Sequence, residues 1–289
     1  MIRRPPRSTQ SRSSAASDVY KRQLHGSKNN RLLADLDCNG WPQSQRDQVL
    51  RILRQAAACH LCGDQHLAVV VQHGIEGFRD GPFGFTSPAI VNSYYARWWW
   101  PADEKPGNNP IPNSPLPWTG DYLDGLGNHI TMWAYANPEL DSIGELRKAQ
   151  RDPSVNRGDG YTLIRFRKSD RSITFECWPR FADLSKGNAA QYPGWPITIK
   201  MNDNDGRKPV GYLSELSFRD SFDPVVQVID EATGEILYTR RIVGNRFRPP
   251  VFSDSLFTVK IGRNRPDRVV AEHLKPTAEA ATISVAVSE

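Results

Sequence analysis

Residues Gly63 to His66 read Gly-Asp-Gln-His, which sets an oxygen donor and a nitrogen donor two positions apart at a glycine turn. A sharp turn can aim both side chains at one cation, so Asp64 and His66 are candidate metal ligands. The same spacing also describes a turn aspartate that caps its own backbone. Upstream, Asp35-Leu36-Asp37-Cys38-Asn39-Gly40 matches the first half of a calcium loop. Two positions argue against a calcium hand: Arg46 stands twelfth, where the loop needs a bidentate Glu, and Pro42 stands eighth. Cys59 and Cys62 form a C-x-x-C spacing, yet residues three apart on a strand point to opposite faces and cannot chelate together. No second ligand pair completes a zinc site, so both are read as small core thiols.

These residues need elements to hold them. From Ser44, SQRDQVLRILRQAAA carries a capping-box-like Ser44/Asp47 pair, followed by Val49, Leu50, Ile52, Leu53, Ala56 and Ala57 at helical spacing. HLC and LAVVVQHGI on either side of the Gly-Asp-Gln-His turn read as strands, the second a β-branched run buried on both faces. GFTSPAIVN suggests one more strand. Six prolines between Trp100 and Trp118 forbid regular structure there and predict a long wrapped loop. GNHITMWAYANP alternates as a strand does, and YTLIRFRK with SITFECW reads as a hairpin around Ser169-Asp170-Arg171-Ser172. From about Lys208 onward, PVVQVID, EILYTRRIV, LFTVKIG and RVVAEHL are short alternating strands with turn signals, which predict a small β-sandwich. Asp-Gly within MNDNDG (Met201 to Gly206) is read first as a turn between strands.

The chain has 289 residues, enough to bury a sizeable core. Its first 23 residues are nearly devoid of apolar side chains and predict disorder. They resemble translated sequencing-adapter DNA and are set aside from the fold. They also hold six basic residues against one acidic, so the formal charge of +5 resides there; from Leu24 onward 31 basic residues balance 31 acidic ones. No nucleic-acid-binding surface follows from the overall basicity. Four cysteines are too few for a disulfide framework in this length, and no apolar run approaches the roughly 18 residues of a membrane span.

Taken in order, ADLDCNGWPQSQRDQVLRILR, HLCGDQHL, FTSPAIVNSYYARWW, GDYLDGLGNHITMWAYANP and ITFECWPR resemble the C-terminal half of the alkaline phosphatase D-like (PhoD-like) family, over roughly residues 24–196. The resemblance implies an α/β (α+β) metallophosphoesterase-like sheet sandwich, incomplete, over residues 24–200, with a C-terminal all-β sandwich as accessory domain over 201–289. It implies phosphoric ester hydrolysis at a two-metal centre of calcium, iron, manganese or zinc, a phosphate ester as substrate, and export from the cytoplasm. Residue by residue, Asp64 and His66 would be metal ligands. The loop of Asp37, Gly40, Trp41 and Pro42, with Asp35 and Asn39, would line the pocket rim. Arg46 would contact a substrate phosphate or pair with Asp47 or a loop aspartate, and His73 would support the site or fill the core. The family's other ligands precede these motifs and do not occur here. Two ligands cannot hold two cations that each need about four to six, so the chain alone is expected to be inactive.

Two further features stay open at this level. Gly127-Asn128-His129 resembles the Gly-Asn-His motif of calcineurin-like phosphatases, but Ile130 follows where an acid is needed, so it is read as the start of a strand. Trp98 to Trp100 with Tyr94 and Tyr95 would either bury the proline loop against a sheet or stack a ligand. The second option carries the competing reading, a non-catalytic carbohydrate- or surface-binding β-sandwich module.

Overall fold

A computed structural model describes residues 40–63, 66–92, 96–101, 103–149, 152–219, 223–278 and 281–286. It is rich in strand and poor in helix, and among the described residues no sheet closes into a barrel. The chain divides into two compact units. The first takes the described residues up to Arg51 together with Cys59–Asn204, and the second takes Ile52–Ala58 and the chain from Asp205 onward.

The first unit is built on a five-stranded sheet of β1 (His60–Cys62), β2 (Ala68–His73), β3 (Phe83–Thr86), β4 (Gly120–Leu123) and β5 (His129–Ala136), in the order β1-β3-β2-β5-β4. β1 runs parallel to β3 and all other neighbours are antiparallel. Every residue of β2 is buried, the apolar run Ala68 to Val71 as its pattern requires and the polar Gln72 and His73 with it. Ala68 and Val70 face a cluster with Phe83, Phe85, Ile173, Phe175 and Ile199. Val69 and Val71 face another with Trp99, Ile130, Met132 and Tyr135. One extra residue in β5 makes this possible. The register shifts between Val70↔Ala134 and Val71↔Met132, so Trp133 is bulged. Ile130 and Met132 therefore point to one face and Ala134 and Ala136 to the other, despite their even spacing.

The face carrying Phe85 packs on a second sheet, β6 (Gly160–Arg167), β7 (Ser172–Pro179) and β8 (Ile197–Lys200), in which the predicted hairpin pairs Arg167 with Ser172 across its turn. Phe85 and Phe175 stack across this contact with ring centroids 5.2 Å apart. The other face is covered by the proline-rich segment, whose Leu116 and Trp118 pack on the Val69/Val71 cluster. Among its described residues the segment forms no strand or helix, as its prolines dictate, and Asp121 of β4 anchors it: its carboxylate accepts from Arg79 Nε at 2.9 Å, Thr131 Oγ1 at 2.6 Å and Asn109 Nδ2 at 2.9 Å.

Helix α1 (Gln43–Gln55) begins earlier than Ser44. The Pro42 carbonyl accepts from the Gln45 and Arg46 amides at 3.1 and 3.2 Å, so Ser44 lies inside the first turn and does not cap it. Arg46 and Leu50, one turn apart, form its buried face, whereas Ile52 is exposed. The helix ends where Ala57 adopts φ 49. A short α2 (Ile143–Lys148) starts on Ser142, whose hydroxyl accepts from the Glu145 amide. β3 stops at Thr86, so the strand expected over GFTSPAIVN ends before Pro88.

The second unit has its own core. A four-stranded antiparallel sheet of β11 (Val225–Asp230), β12 (Ile236–Arg241), β15 (Phe257–Gly262) and β16 (Arg268–Leu274) shares it with β10 (Glu215–Phe218), β13 (Arg246–Phe247) and β17 (Thr282–Val285). Leu216, Phe218 and Val285 of the smaller sheet and Val226, Val228, Val259 and Ile261 of the larger meet in one apolar cluster. A short pair, β9 (Gly211–Tyr212) with β14 (Pro250–Val251), completes the unit. The main segment of the second unit starts at Asp205, whose carboxylate pairs with Arg207 at 2.8 Å and with Arg240. Within MNDNDG, Asp203 Oδ2 accepts locally from the Lys200 amide at 2.7 Å, and Asn204 Oδ1 accepts from the distant Phe83 amide at 3.0 Å. That is the turn reading.

Candidate metal centre

His66 sits in the short connection between β1 and β2, half-buried, with φ 58. That left-handed backbone is uncommon for a residue with a Cβ, and it turns the chain back into β2. The carbonyl of His66 is fixed by the Arg97 amide at 3.2 Å. Its ring is fixed by Asn92: Nδ1 lies 2.8 Å from Asn92 Oδ1. Asn92 is fully buried and donates its Nδ2 to the Arg157 carbonyl at 2.8 Å, which settles which end of the amide is oxygen. An amide oxygen only accepts, so Nδ1 carries the proton and the lone pair of the neutral ring lies on Nε2. An imidazole held through one nitrogen by an oxygen acceptor, with its lone pair on the other, is the form in which histidine ligates metals.

Asn92 is itself placed by Asp159, whose Oδ2 accepts its backbone N–H at 3.3 Å. Arg157 stands 3.7 Å from the same carboxylate, and both residues are buried. Neither Asn92 nor the Arg157/Asp159 pair was singled out from sequence. Asn92 and Arg157 are 65 positions apart, and no local spacing reveals a partnership made only when the chain after β3 meets the start of β6.

Asp64, the other proposed ligand, and Asp35, Asp37 and Asn39 of the proposed rim lie outside the described residues. Trp41 is 54% exposed at the start of α1. The loop end at Gly40 is tied down by Asn128, whose Nδ2 donates to the Gly40 carbonyl at 3.1 Å and to Asp124 Oδ2 at 2.8 Å. The asparagine of the Gly-Asn-His triplet is thus a turn anchor just before β5.

Arg46 is buried, and both Nη atoms of its guanidinium are committed to the protein. Nη1 donates to Asp47 Oδ1 at 2.8 Å and to the Gly74 carbonyl at 3.0 Å, and Nη2 to the His129 carbonyl at 3.3 Å. Of its two anticipated roles, the pairing with Asp47 is the one observed. His73 is fully buried at the end of β2, 6.2 Å from the His60 ring centroid, and so lies in the interior instead of at a rim. Burial, together with the nearby Arg46 and His60, holds its pKa well below the ordinary imidazole value.

The thiols behave as core groups. Cys59 packs against the Phe85 cluster and Cys62 against the opposite one, which are the two faces of one sheet. Trp98 and Trp99 are buried, with Nε1 donated to the Leu140 carbonyl at 2.9 Å and the Trp118 carbonyl at 2.8 Å, and offer no face to a ligand.

Among the described residues no group of three or more His, Cys, Asp or Glu side chains is placed to hold a metal ion. A single oriented imidazole falls short of the four to six donors that a closed site requires. Comparison of the chain with family models, with curated proteins and with solved structures found no match.

Proposed function

We propose that this chain is the distal part of a two-metal phosphoesterase of the alkaline phosphatase D-like class, in which His66 supplies an imidazole ligand from the turn between β1 and β2. The observation that carries the reading is the relay from His66 Nδ1 to Asn92 and on to Arg157 and Asp159, which fixes the ring and leaves the lone pair on Nε2. The packing of a five-stranded sheet on a three-stranded one agrees with a metallophosphoesterase-like sandwich. The buried tryptophans lend no support to a carbohydrate-stacking module.

Metal ions in such a centre polarise phosphoryl oxygens and lower the pKa of a bound water toward neutrality. The part this chain plays is orientation. The buried amide of Asn92 holds the imidazole in one tautomer, and the Asp159 carboxylate holds Asn92. Because the described donors do not complete a centre, the isolated chain is expected to show no phosphatase turnover. Extending the reading frame upstream in the source DNA tests the proposal: aspartate and histidine metal motifs are expected there. The longer protein should hydrolyse p-nitrophenyl phosphate or its bis-ester in a metal-dependent way and lose that activity with His66→Ala. An upstream frame without such motifs, or a longer protein indifferent to His66→Ala, would overturn it.

A further inference from the structure

A cleft of about 220 Å³ lies beside the start of β6 and the end of β7, lined by Glu139, Asn156, Asp159, Arg180 and Phe181 among others. Two of these side chains carry unspent donors. The Arg180 guanidinium is held by charge and by stacking: Nη1 is 3.8 Å from Asp159 Oδ2, and the group lies over the Phe181 ring, 5.0 Å from its centroid. Its backbone N–H is anchored on the Asp159 carbonyl at 3.1 Å. Beyond hydrogen-bond distance of that carboxylate, the guanidinium donates to no acceptor among the described residues, and it remains 37% exposed.

Asn156 supplies the second donor. The Gly158 amide donates to its Oδ1 at 2.9 Å, and the Tyr192 hydroxyl lies 2.8 Å from the same oxygen. The amide is thereby oriented, and among the described residues Nδ2 donates to no acceptor. A guanidinium stacked over Phe181 and an oriented amide N–H2 in one cleft are two donor groups, the complement of an oxyanion. The Asp159 charge does not cancel this, because it is shared with the buried Arg157 at 3.7 Å. Glu139 does oppose it: its exposed carboxylate, which accepts from the Asn156 backbone N–H at 3.2 Å, adds a like charge at the edge.

We propose that this cleft is an oxyanion site, taking the phosphate group of a phosphate ester or the free phosphate that hydrolysis releases. The choice of phosphate rests on the phosphoesterase reading; the donor arrangement does not. The two sites share Asp159, whose carboxylate lies 3.8 Å from the Arg180 guanidinium and accepts from the backbone N–H of the Asn92 that holds His66.

The test is a titration of the chain with inorganic phosphate and with phenyl phosphate in EDTA at low salt, followed by isothermal calorimetry. Metal is thereby excluded, and failure of His66 as a ligand cannot affect the result. Dissociation constants on the order of 1 mM are expected. Arg180→Met and the near-isosteric Asn156→Asp should each weaken binding about tenfold or more, the loss of a charge-assisted contact. Glu139→Gln should tighten it, and His66→Ala should leave it unchanged. Tighter binding of phenyl phosphate than of phosphate identifies the ester as the occupant, and equal binding identifies the free anion. No binding by the parent chain, or unchanged binding in Arg180→Met with its melting temperature intact, overturns the proposal. An upstream frame without metal motifs, or a longer protein indifferent to His66→Ala, would sink the phosphoesterase reading and leave this one standing.

Discussion

His66 Nδ1 donates to Asn92 Oδ1 at 2.8 Å, and Asn92 has no freedom to turn away, because its Nδ2 is committed to the Arg157 carbonyl at the same distance. A half-buried ring on a turn is thus oriented by a fully buried amide. Replacing Asn92 by Ala should remove both bonds and cost about 1–3 kcal/mol of stability. It should also release the ring, so that long-range proton–nitrogen NMR shifts from a protonated Nδ1 toward a mixture of tautomers. If the His66 ring nitrogens keep the same shifts in Asn92→Ala, the buried amide is not what orients the ring.

The contact of the two sheets in the first unit depends on Phe85, 1% exposed and stacked on Phe175 with Trp195 at its edge, 5.7 Å between centroids. Phe85→Ala should cost about 3–5 kcal/mol by lost burial and the cavity left behind. Chemical denaturation read by tryptophan fluorescence gives the difference, and a loss under about 1 kcal/mol would mean the sheets do not pack on this ring.

Arg46 closes three acceptors from the helix side, so its role is structural in the described chain. Arg46→Met should cost about 3 kcal/mol, since the Gly74 and His129 carbonyls lose a buried charged donor. Asp47→Asn should cost less than about 1 kcal/mol because that carboxylate is partly exposed. Equal losses from the two substitutions would show that the ion pair, and not the carbonyl contacts, supplies the stability.

Stability should fall on mild acidification. Folded His73 stays neutral well below the ordinary imidazole value, whereas the unfolded chain takes up a proton near pH 6.5. Below that pH the unfolded state binds more protons, so stability declines as pH falls, by at most about 1.4 kcal/mol per unit, and is unaffected by His73 above about pH 7. Urea midpoints at several values between about pH 5.5 and 7.5 should slope downward toward acid in the parent chain and less steeply in His73→Gln. Identical slopes would remove His73 as the cause.

Much of the architecture was legible along the chain because its signals are local. The unbroken apolar run of β2, the alternation of β6 and β7 around Asp170, the prolines between Trp100 and Trp118 and the short strands of the second unit each follow from periodicity or from φ restriction. The opposite orientation of Cys59 and Cys62 followed from strand geometry alone. The Trp133 bulge did not, because its cause is the need to serve two cores from one strand.

What the amino-acid sequence settles by itself is therefore the order of the main strands, helix and proline-rich loop, and that the charge beyond residue 23 is balanced. The tertiary structure decided which side chains became partners. It committed Arg46 to backbone carbonyls, sealed His73 beside His60, buried Trp98 and Trp99, and brought Asn92, Arg157 and Asp159 to His66 and Arg180 to Asn156. Those outcomes depend on which distant segments meet and what each buried polar atom must satisfy, and neither quantity is written in the spacing of residues along one segment.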